Sequence, residues 1–332
     1  MQIKNAIVHL LEKQQQSAAT LTLREDELDC TSPELEKLMQ QVIKLYNEKT
    51  GRGYGSFHAD TTSYPLSNLL NNHLNQGITF IYFTHNAMHN LKSRIDTKHF
   101  ATGGYVLFIK YEHNGSEALA IISLKHKPGF TFDDDLELTG QKHIDLDHLH
   151  EMARIDITKW KADQDRYLSF AKRRQGNNEF SEYFRSFVGC DEFSDEKTMT
   201  KTLIEAVKKF SQRDGIDEAK SQLIRQVVHD YCDEKAKSNE AISLLRLSTL
   251  LNEDDPEEFT RFVNEADILL SDGFRPDKAI YKHLQRIQLK SKAITLSFDA
   301  DMLDDSVIYN ENDGTLLIKE LPEAFKRELA SR

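Results

Sequence analysis

Cysteine is scarce in this chain. Cys30, Cys190 and Cys232 are odd in number, far apart and free of CxxC or CxxH spacing, which excludes a disulfide framework and a cysteine-built zinc site and leaves buried free thiols. No run approaches the roughly 18 or more consecutive apolar residues of a spanning helix. The opening MQIKNAIVHLLEKQQQ lacks the charged start, long apolar run and cleavage site of a signal peptide, so a cytoplasmic protein is expected. GxSxG, HExxH, a GK[ST] phosphate loop and a cysteine-protease signature are all missing, and with them the usual grounds for nucleophilic, metal-hydrolytic or nucleotide chemistry. Internal repeats and low-complexity linkers are missing too.

What is present is a chain of 332 residues with 39% hydrophobic content, enough for a large core and more than one packed unit. The net charge of −11 opposes binding to a polyanion. Its distribution weakens that objection. Residues 191–272 hold 20 Asp and Glu against 11 Lys and Arg, so −9 of the charge sits there.

The apolar spacing predicts a mixed amino-terminal half. IKNAIVHLL and ATLTLRE have strand character, and Ser32 as N-cap with Pro33 at the first helical position opens a helix with Leu35, Leu38, Met39, Val42 and Tyr46 on one face. EKTGRGYGSF lacks the phosphate-loop ending and is expected to be a helix stop followed by a surface loop. A helical stretch over 66–96 follows. Strands over 104–111 and 117–124 flank Asn114-Gly115, a dipeptide suited to a tight hairpin, and the first, apolar on both faces, belongs inside a sheet. Further strands are expected through 136–157 and 166–170.

From about 178 to 284 the period is helical, with one apolar stripe at Met199, Leu203, Ala206, Val207 and Phe210 and another at Leu223, Ile224, Val227, Val228 and Tyr231. RIQLKS, AITLSF, VIYNEN and TLLIKE then read as strands, and Pro322 opens a last short helix. The expectation is an α+β protein with a mostly antiparallel mixed sheet: a mixed domain over 1–175, a helical acidic region over 176–284, and carboxy-terminal hairpins with a short helix over 285–332, packed on the rest.

The stretch HIDLDHLHEMARIDI, residues 143–157, is the most metal-like in the chain. On a strand His143, Asp145 and Asp147 share one face, which is also how a solvent-facing strand looks, and ligand spacing is missing. Two basic runs suggest phosphate contact instead. KWKADQDRYLSFAKRR, 159–174, has six Lys or Arg against two Asp, interleaved with Trp160, Tyr167 and Phe170, a mixture suited to phosphate contact with apolar anchoring or to a solvated strand edge. The second, 278–298, has five basic residues and no acidic one. If Ile287 and Leu289 point inward, Arg286, Gln288 and Lys290 point outward together. A helix-turn-helix reader over 243–266 is rejected because its turn and second helix are acidic, the wrong sign for a DNA groove.

TGGYVLFIKY at 102–111, IDLDHLHEMARIDITKW at 144–160, RYLSFAKRRQGNNEFSEYFRSFVG at 166–189 and ITLSFDADML at 294–303 together resemble the bacterial nucleoid-associated proteins of the NdpA/YejK type, in order and over essentially the whole chain. The resemblance implies a protein of the cytoplasm and nucleoid that associates with double-stranded DNA, with no catalytic motif to carry over. It covers Asp145, His148, Ala153, Arg154, Ile155 and Asp156 but not His143, Asp147 or His150, which removes the basis for a metal site; Arg154 and Asp156 are then expected to form a structural ion pair. DNA contacts rest on charge alone: Lys172, Arg173, Arg174, Lys278, Lys282, Arg286, Lys290 and Lys292. No catalytic residue, metal ligand, cofactor or membrane contact is assigned. Other nucleoid or DNA-topology proteins and a second copy in a homodimer are the further partners considered. The competing functions are a protein–protein adaptor docking through the acidic helical surface and, further off, a metal-dependent nuclease.

Overall fold

Eight strands from residues 2–192 pair into one sheet, antiparallel throughout. The computed structural model describes the chain except for residues 15, 49–50, 99–102, 147–150, 173–178, 194, 304, 320, 322 and 332. It divides into a first unit, Met1–Ser194 with Thr260–Asp272, and a second, Asp195–Phe259 with Gly273–Arg332.

The first unit runs β1 (Gln2–Glu12), β2 (Thr20–Thr22), α1 (Pro33–Glu48), β3 (Gly51–Phe57), α2 (Leu66–Leu74), α3 (Phe80–Asp96), β4 (Gly104–His113), β5 (Ser116–Leu124), β6 (His126–Phe132), β7 (Leu138–Ile144), β8 (Glu151–Asp156), α4 (Ile157–Lys161), β9 (Leu168–Lys172), α5 (Glu179–Val188) and β10 (Cys190–Glu192). The sheet order is β10-β3-β9-β8-β5-β4-β1-β2, while among the described residues β6 and β7 pair only with each other. Successive strand residues alternate between two cores. Val106, Phe108, Leu119, Ile121, Ala153 and Ile155 pack with α2, α3 and α5 on one side. Leu107, Ile109, Ala120, Ile122 and Met152 pack with Leu35, Met39, Val42 and Tyr46 of α1 on the other. The expected stripe of α1 is therefore its buried face, and the Ser32 hydroxyl accepts from the Leu35 N–H at 3.3 Å. Asn114 and Gly115 both have positive φ, 49° and 77°, as a tight β4–β5 turn requires.

Two expectations need correction. The 66–96 helix is two helices, interrupted where Gln76 takes a φ of 61°. GRGYGSF is no surface loop but β3, inside the sheet between β10 and β9. Its glycines permit the approach of neighbouring strands. A Cβ on Gly53 would lie 2.3 Å from the Phe170 ring, and one on Gly55 would lie 2.2 Å from the Asp191 carbonyl oxygen and 2.7 Å from the Cys190 sulfur. Phosphate loops and crowded strands both favour glycine, so glycine spacing alone misled.

α6 (Glu196–Ser211), α7 (Glu218–Ser238) and α8 (Leu244–Leu251) build the second unit, and α9 (Glu258–Glu265) carries the chain back to the first. The unit resumes with α10 (Lys278–Tyr281), β11 (Arg286–Lys290), β12 (Thr295–Asp299), β13 (Val307–Asn310), β14 (Thr315–Ile318) and α11 (Glu323–Ala330). Asp195, Asp217 and Ser243 cap α6, α7 and α8 by accepting from backbone N–H groups, each worth about 1 kcal/mol. The α6 stripe is wholly buried. In α7, Ile224, Val228 and Tyr231 are buried, but Leu223 is 62% exposed, because α7 offers a narrower face than its apolar residues suggest. Among the described residues no helix is long and apolar enough to cross a membrane.

Gly55→Ala should cost at least about 2 kcal/mol, since backbone at Asp191 must move to admit the methyl. Gly140→Ala, where an added Cβ meets nothing within 4 Å, should change stability by less than about 0.5 kcal/mol. Urea unfolding of the two variants checks this; equal midpoints would contradict the tight β3–β10 approach.

Candidate functional site

The metal-like stretch is the first place to seek chemistry, and its described residues have structural partners. His143 of β7 lies across from Lys127, its ring over Gly129, where a Cβ would stand 2.4 Å away. The Asp145 N–H donates to the Lys125 carbonyl at 2.7 Å. Asp147, His148 and His150 lie outside the described residues. Glu151 is buried and accepts from the Tyr183 hydroxyl at 2.7 Å; burial, then the Glu151 charge, pushes that phenol's pKa well up. Asp156, also buried, caps α4 through the Lys159 N–H at 2.9 Å, accepts from the Ser116 hydroxyl at 3.2 Å, and pairs with Arg154 at 3.3 Å. The expected Arg154–Asp156 ion pair is present. Among the described residues no three His, Cys, Asp or Glu side chains are grouped to hold a metal ion.

The first basic run is interior on its apolar side. Phe170 is buried, and Trp160 and Tyr167 pack with Phe57 at ring separations of 4.9 and 5.7 Å from it. Phe170 is core, which corrects its reading as an anchor for a nucleic acid, while Trp160 and Tyr167 are partly buried against that core. β9 lies between β3 and β8, which also corrects the strand-edge reading. Several of the cations are engaged locally. Lys159 pairs with Asp267 at 2.7 Å, Lys161 donates to the Asn71 side chain at 2.7 Å, and Arg166 donates to the Leu269 carbonyl at 3.3 Å. Lys172 closes β9 opposite Gly51, while Arg173 and Arg174 lie outside the described residues.

The second basic run is arranged differently. Asp277 caps α10, and Tyr281 and Leu284 are buried while Lys278, Lys282 and His283 are exposed. The Tyr281 hydroxyl donates to Asp233 at 3.1 Å, so the apolar side of this segment is fixed to α7. β11 and β12 pair with Arg286 opposite Asp299, Ile287 opposite Phe298, Gln288 opposite Ser297, Leu289 opposite Leu296 and Lys290 opposite Thr295. Opposed residues share a face. Phe298 is buried, and Lys290, Thr295 and Ser297 are exposed. Lys292 is exposed in the turn, which Ser291 closes by donating its N–H to the Ile294 carbonyl at 2.8 Å. The five cations of 278–298 thus all fall in the second unit, and Lys278, Lys282, Lys290 and Lys292 face solvent.

Sequence reasoning missed two features. One is β6 and its pairing with the expected strand β7, whose signal was the alternation in GFTF and LELT around an aspartate cluster. The other is His9, buried in β1 beneath α3. Its Nδ1 accepts from the Arg24 N–H at 3.2 Å, so Nε2 carries the proton and donates to the Thr84 hydroxyl at 3.0 Å, which in turn donates to the Ile81 carbonyl at 3.0 Å. Burial, with His85 nearby, lowers the His9 pKa to about 4. Neutral and doubly bonded, it holds the 24–25 segment in place.

The comparisons with known proteins agree on one family. The family profile described as nucleoid-associated protein YejK matches residues 7–326. A nucleoid-associated protein of Pseudomonas entomophila is 34% identical over 335 residues, spanning all of this chain and 99% of its own. One from Pseudomonas putida strain GB-1 matches at 34% with the same coverage, and one from Metapseudomonas resinovorans at 32% over 99% of both chains.

The buried His9 makes a prediction with a definite sign. Its pKa is near 4 folded and about 6.5 unfolded, so the unfolded chain binds the proton first as pH falls. The stabilisation is complete above about pH 6.5 and is lost between there and about pH 4, on the order of 2 kcal/mol. His9→Gln should flatten that part of the stability–pH curve measured by urea unfolding; an unchanged curve would refute the assignment.

Proposed function

The chain belongs to the family of the nucleoid-associated protein YejK, and on that premise we propose that it is a non-enzymatic protein of the nucleoid that binds double-stranded DNA with little sequence preference. The observation that carries this reading is the outward strip of the second unit, where Lys278, Lys282, Lys290 and Lys292 are exposed above a buried Tyr281, Leu284 and Phe298. Arg286 lies among them in the sequence. Cations on short extended segments can follow a phosphate backbone without reading bases, which gives affinity with little sequence information. Lys172, Arg173 and Arg174 form a secondary candidate in the first unit, supported by charge alone. The acidic balance of 191–272 disfavours non-productive faces and leaves the strip as the side that approaches DNA.

Non-catalytic action fits the engagement of the described acids in 143–157. Glu151 and Asp156 are buried with neutral or cationic partners, positions from which they reach no substrate. The same acidic segment motivates a second reading, an adaptor that docks on DNA-handling proteins and touches DNA weakly.

Binding to random duplex through about four to six phosphate contacts should give a slope of log affinity on log salt of roughly −4 to −5. Replacing Arg286, Lys290 and Lys292 with Ala together should make the slope shallower by about 2 to 3, whatever the DNA sequence. Replacing Lys172, Arg173 and Arg174 reports separately on the first unit. Fluorescence anisotropy across a salt series measures both. Wild-type affinity and slope in the 286/290/292 variant would remove the β11–β12 hairpin from the contact and favour the adaptor.

A further inference from the structure

Among the described residues the β6–β7 ribbon of the first unit pairs with no third strand. Its register sets Pro128 opposite Lys142, Phe130 opposite Gly140, Phe132 opposite Leu138 and His126 opposite Ile144. Residues directly opposed in an antiparallel pair lie on the same face, so one face collects Pro128, Phe130, Phe132, Leu138 and Ile144, and the other Lys127, Thr131, Thr139, Gln141 and His143. The apolar face is open to solvent. Phe130 is 77% exposed, Phe132 66%, Leu138 62%, and Leu136 in the turn 79%. An isolated two-stranded ribbon is marginal in water, and an apolar face of this kind needs a second layer. With roughly 150–200 Å² for each large side chain, on the order of 500 Å² of apolar surface is left uncovered, at the upper end for a monomer.

We propose that this face is a dimerisation surface, packed on the same face of a second copy of the chain with the two ribbons antiparallel about a twofold axis. Charge selects that occupant and that direction. The turn carries Asp133, Asp134, Asp135 and Glu137, and the foot of the ribbon carries Lys125, His126, Lys127, Lys142 and His143. Asp133 holds the turn by accepting from the Asp135 and Glu137 N–H groups at 3.1 and 3.0 Å, which leaves the exposed Asp134 and Asp135 to present charge at the tip. In the antiparallel arrangement each acidic tip lies over the partner's foot, where Lys142 shares the apolar face. A parallel arrangement sets tip carboxylates against tip carboxylates. A phosphate backbone is repelled by the same tip. A twofold interface needs only one self-complementary patch, and two such faces bury on the order of 1,000 Å² together, the threshold of a specific interface. The inference is independent of the DNA-binding reading.

Sedimentation velocity of the full chain over the micromolar range, without DNA, tests it. The wild type should dimerise, and Phe130→Glu with Phe132→Glu should weaken dimerisation by at least about 100-fold. Both side chains are exposed in the protomer, so circular dichroism, and thermal melting at a concentration where the wild type is also monomeric, should be unchanged, which separates a lost interface from a lost fold. Lys142→Glu alone, and Asp134→Lys with Asp135→Lys alone, should each weaken the dimer by about tenfold. The three charge changes combined in one chain should restore it, because each reversed tip again meets a reversed foot. A combined variant as weak as its parents would overturn the antiparallel geometry. A monomeric wild type, or a Phe130/Phe132 variant with undiminished dimerisation, would overturn the proposal itself.

Discussion

The first unit depends on strands β4 and β5 being buried on both faces. Phe108 and Ile121 enter one core while Leu107 and Ile122 enter the other, so the sheet is stable only with a helical layer on each side. Each such side chain withdrawn from water contributes about 1.5–3 kcal/mol. α1 supplies one layer, and α2, α3 and α5 the other. With both faces occupied, the polar groups that remain inside need partners. The Tyr46 hydroxyl donates to Ser169 at 3.0 Å, and the Arg52 guanidinium donates to the Tyr46 carbonyl and lies 4.4 Å above the Tyr46 ring.

That constraint fixes the surroundings of the titratable groups inside the sheet. His9, Glu151 and Asp156 sit in or at the ends of strands of a sheet covered on both sides, and each is hydrogen-bonded to a nearby group. Burial then acts on titration in the expected directions. It lowers His9 and raises Tyr183, since the charged form of each is poorly solvated there. A group held in its neutral form by packing stabilises the fold over a range of pH.

The surface carries the remaining information. Two β-ribbons differ in the character of their exposed sides. β11–β12 offers Lys290, Thr295 and Ser297, hydrophilic and cationic, a surface suited to phosphate. β6–β7 offers phenylalanines between an acidic tip and a basic foot, a surface suited to protein. The same secondary structure therefore supports different kinds of partner, decided by which side chains the alternation places outside.

How much was legible follows from the range of each signal. The α1 face, the Asn114-Gly115 turn, the two-sided apolar β4, the α6 stripe and the β11–β14 strands were readable from residues alone, because periodicity and turn chemistry are local. The outward side of Lys290 was readable for the same reason. What lay beyond the sequence was which neighbours each segment meets. β3 was hidden because its glycines serve Phe170 and Asp191, more than a hundred residues away, and glycine looks alike in a loop and in a crowded strand. Trp160 and Tyr167 looked like exposed anchors until Phe57 closed over them. Leu223 satisfied the α7 period yet stays in solvent, since a period names a face and only packing decides how wide it is. The phenylalanines of β6 had the alternation of a sheet strand, but the sequence alone did not reveal that they stay exposed among the described residues of the protomer. Local order was thus set by the sequence, and occupancy of each face by tertiary contacts, because burial depends on residues distant in the chain.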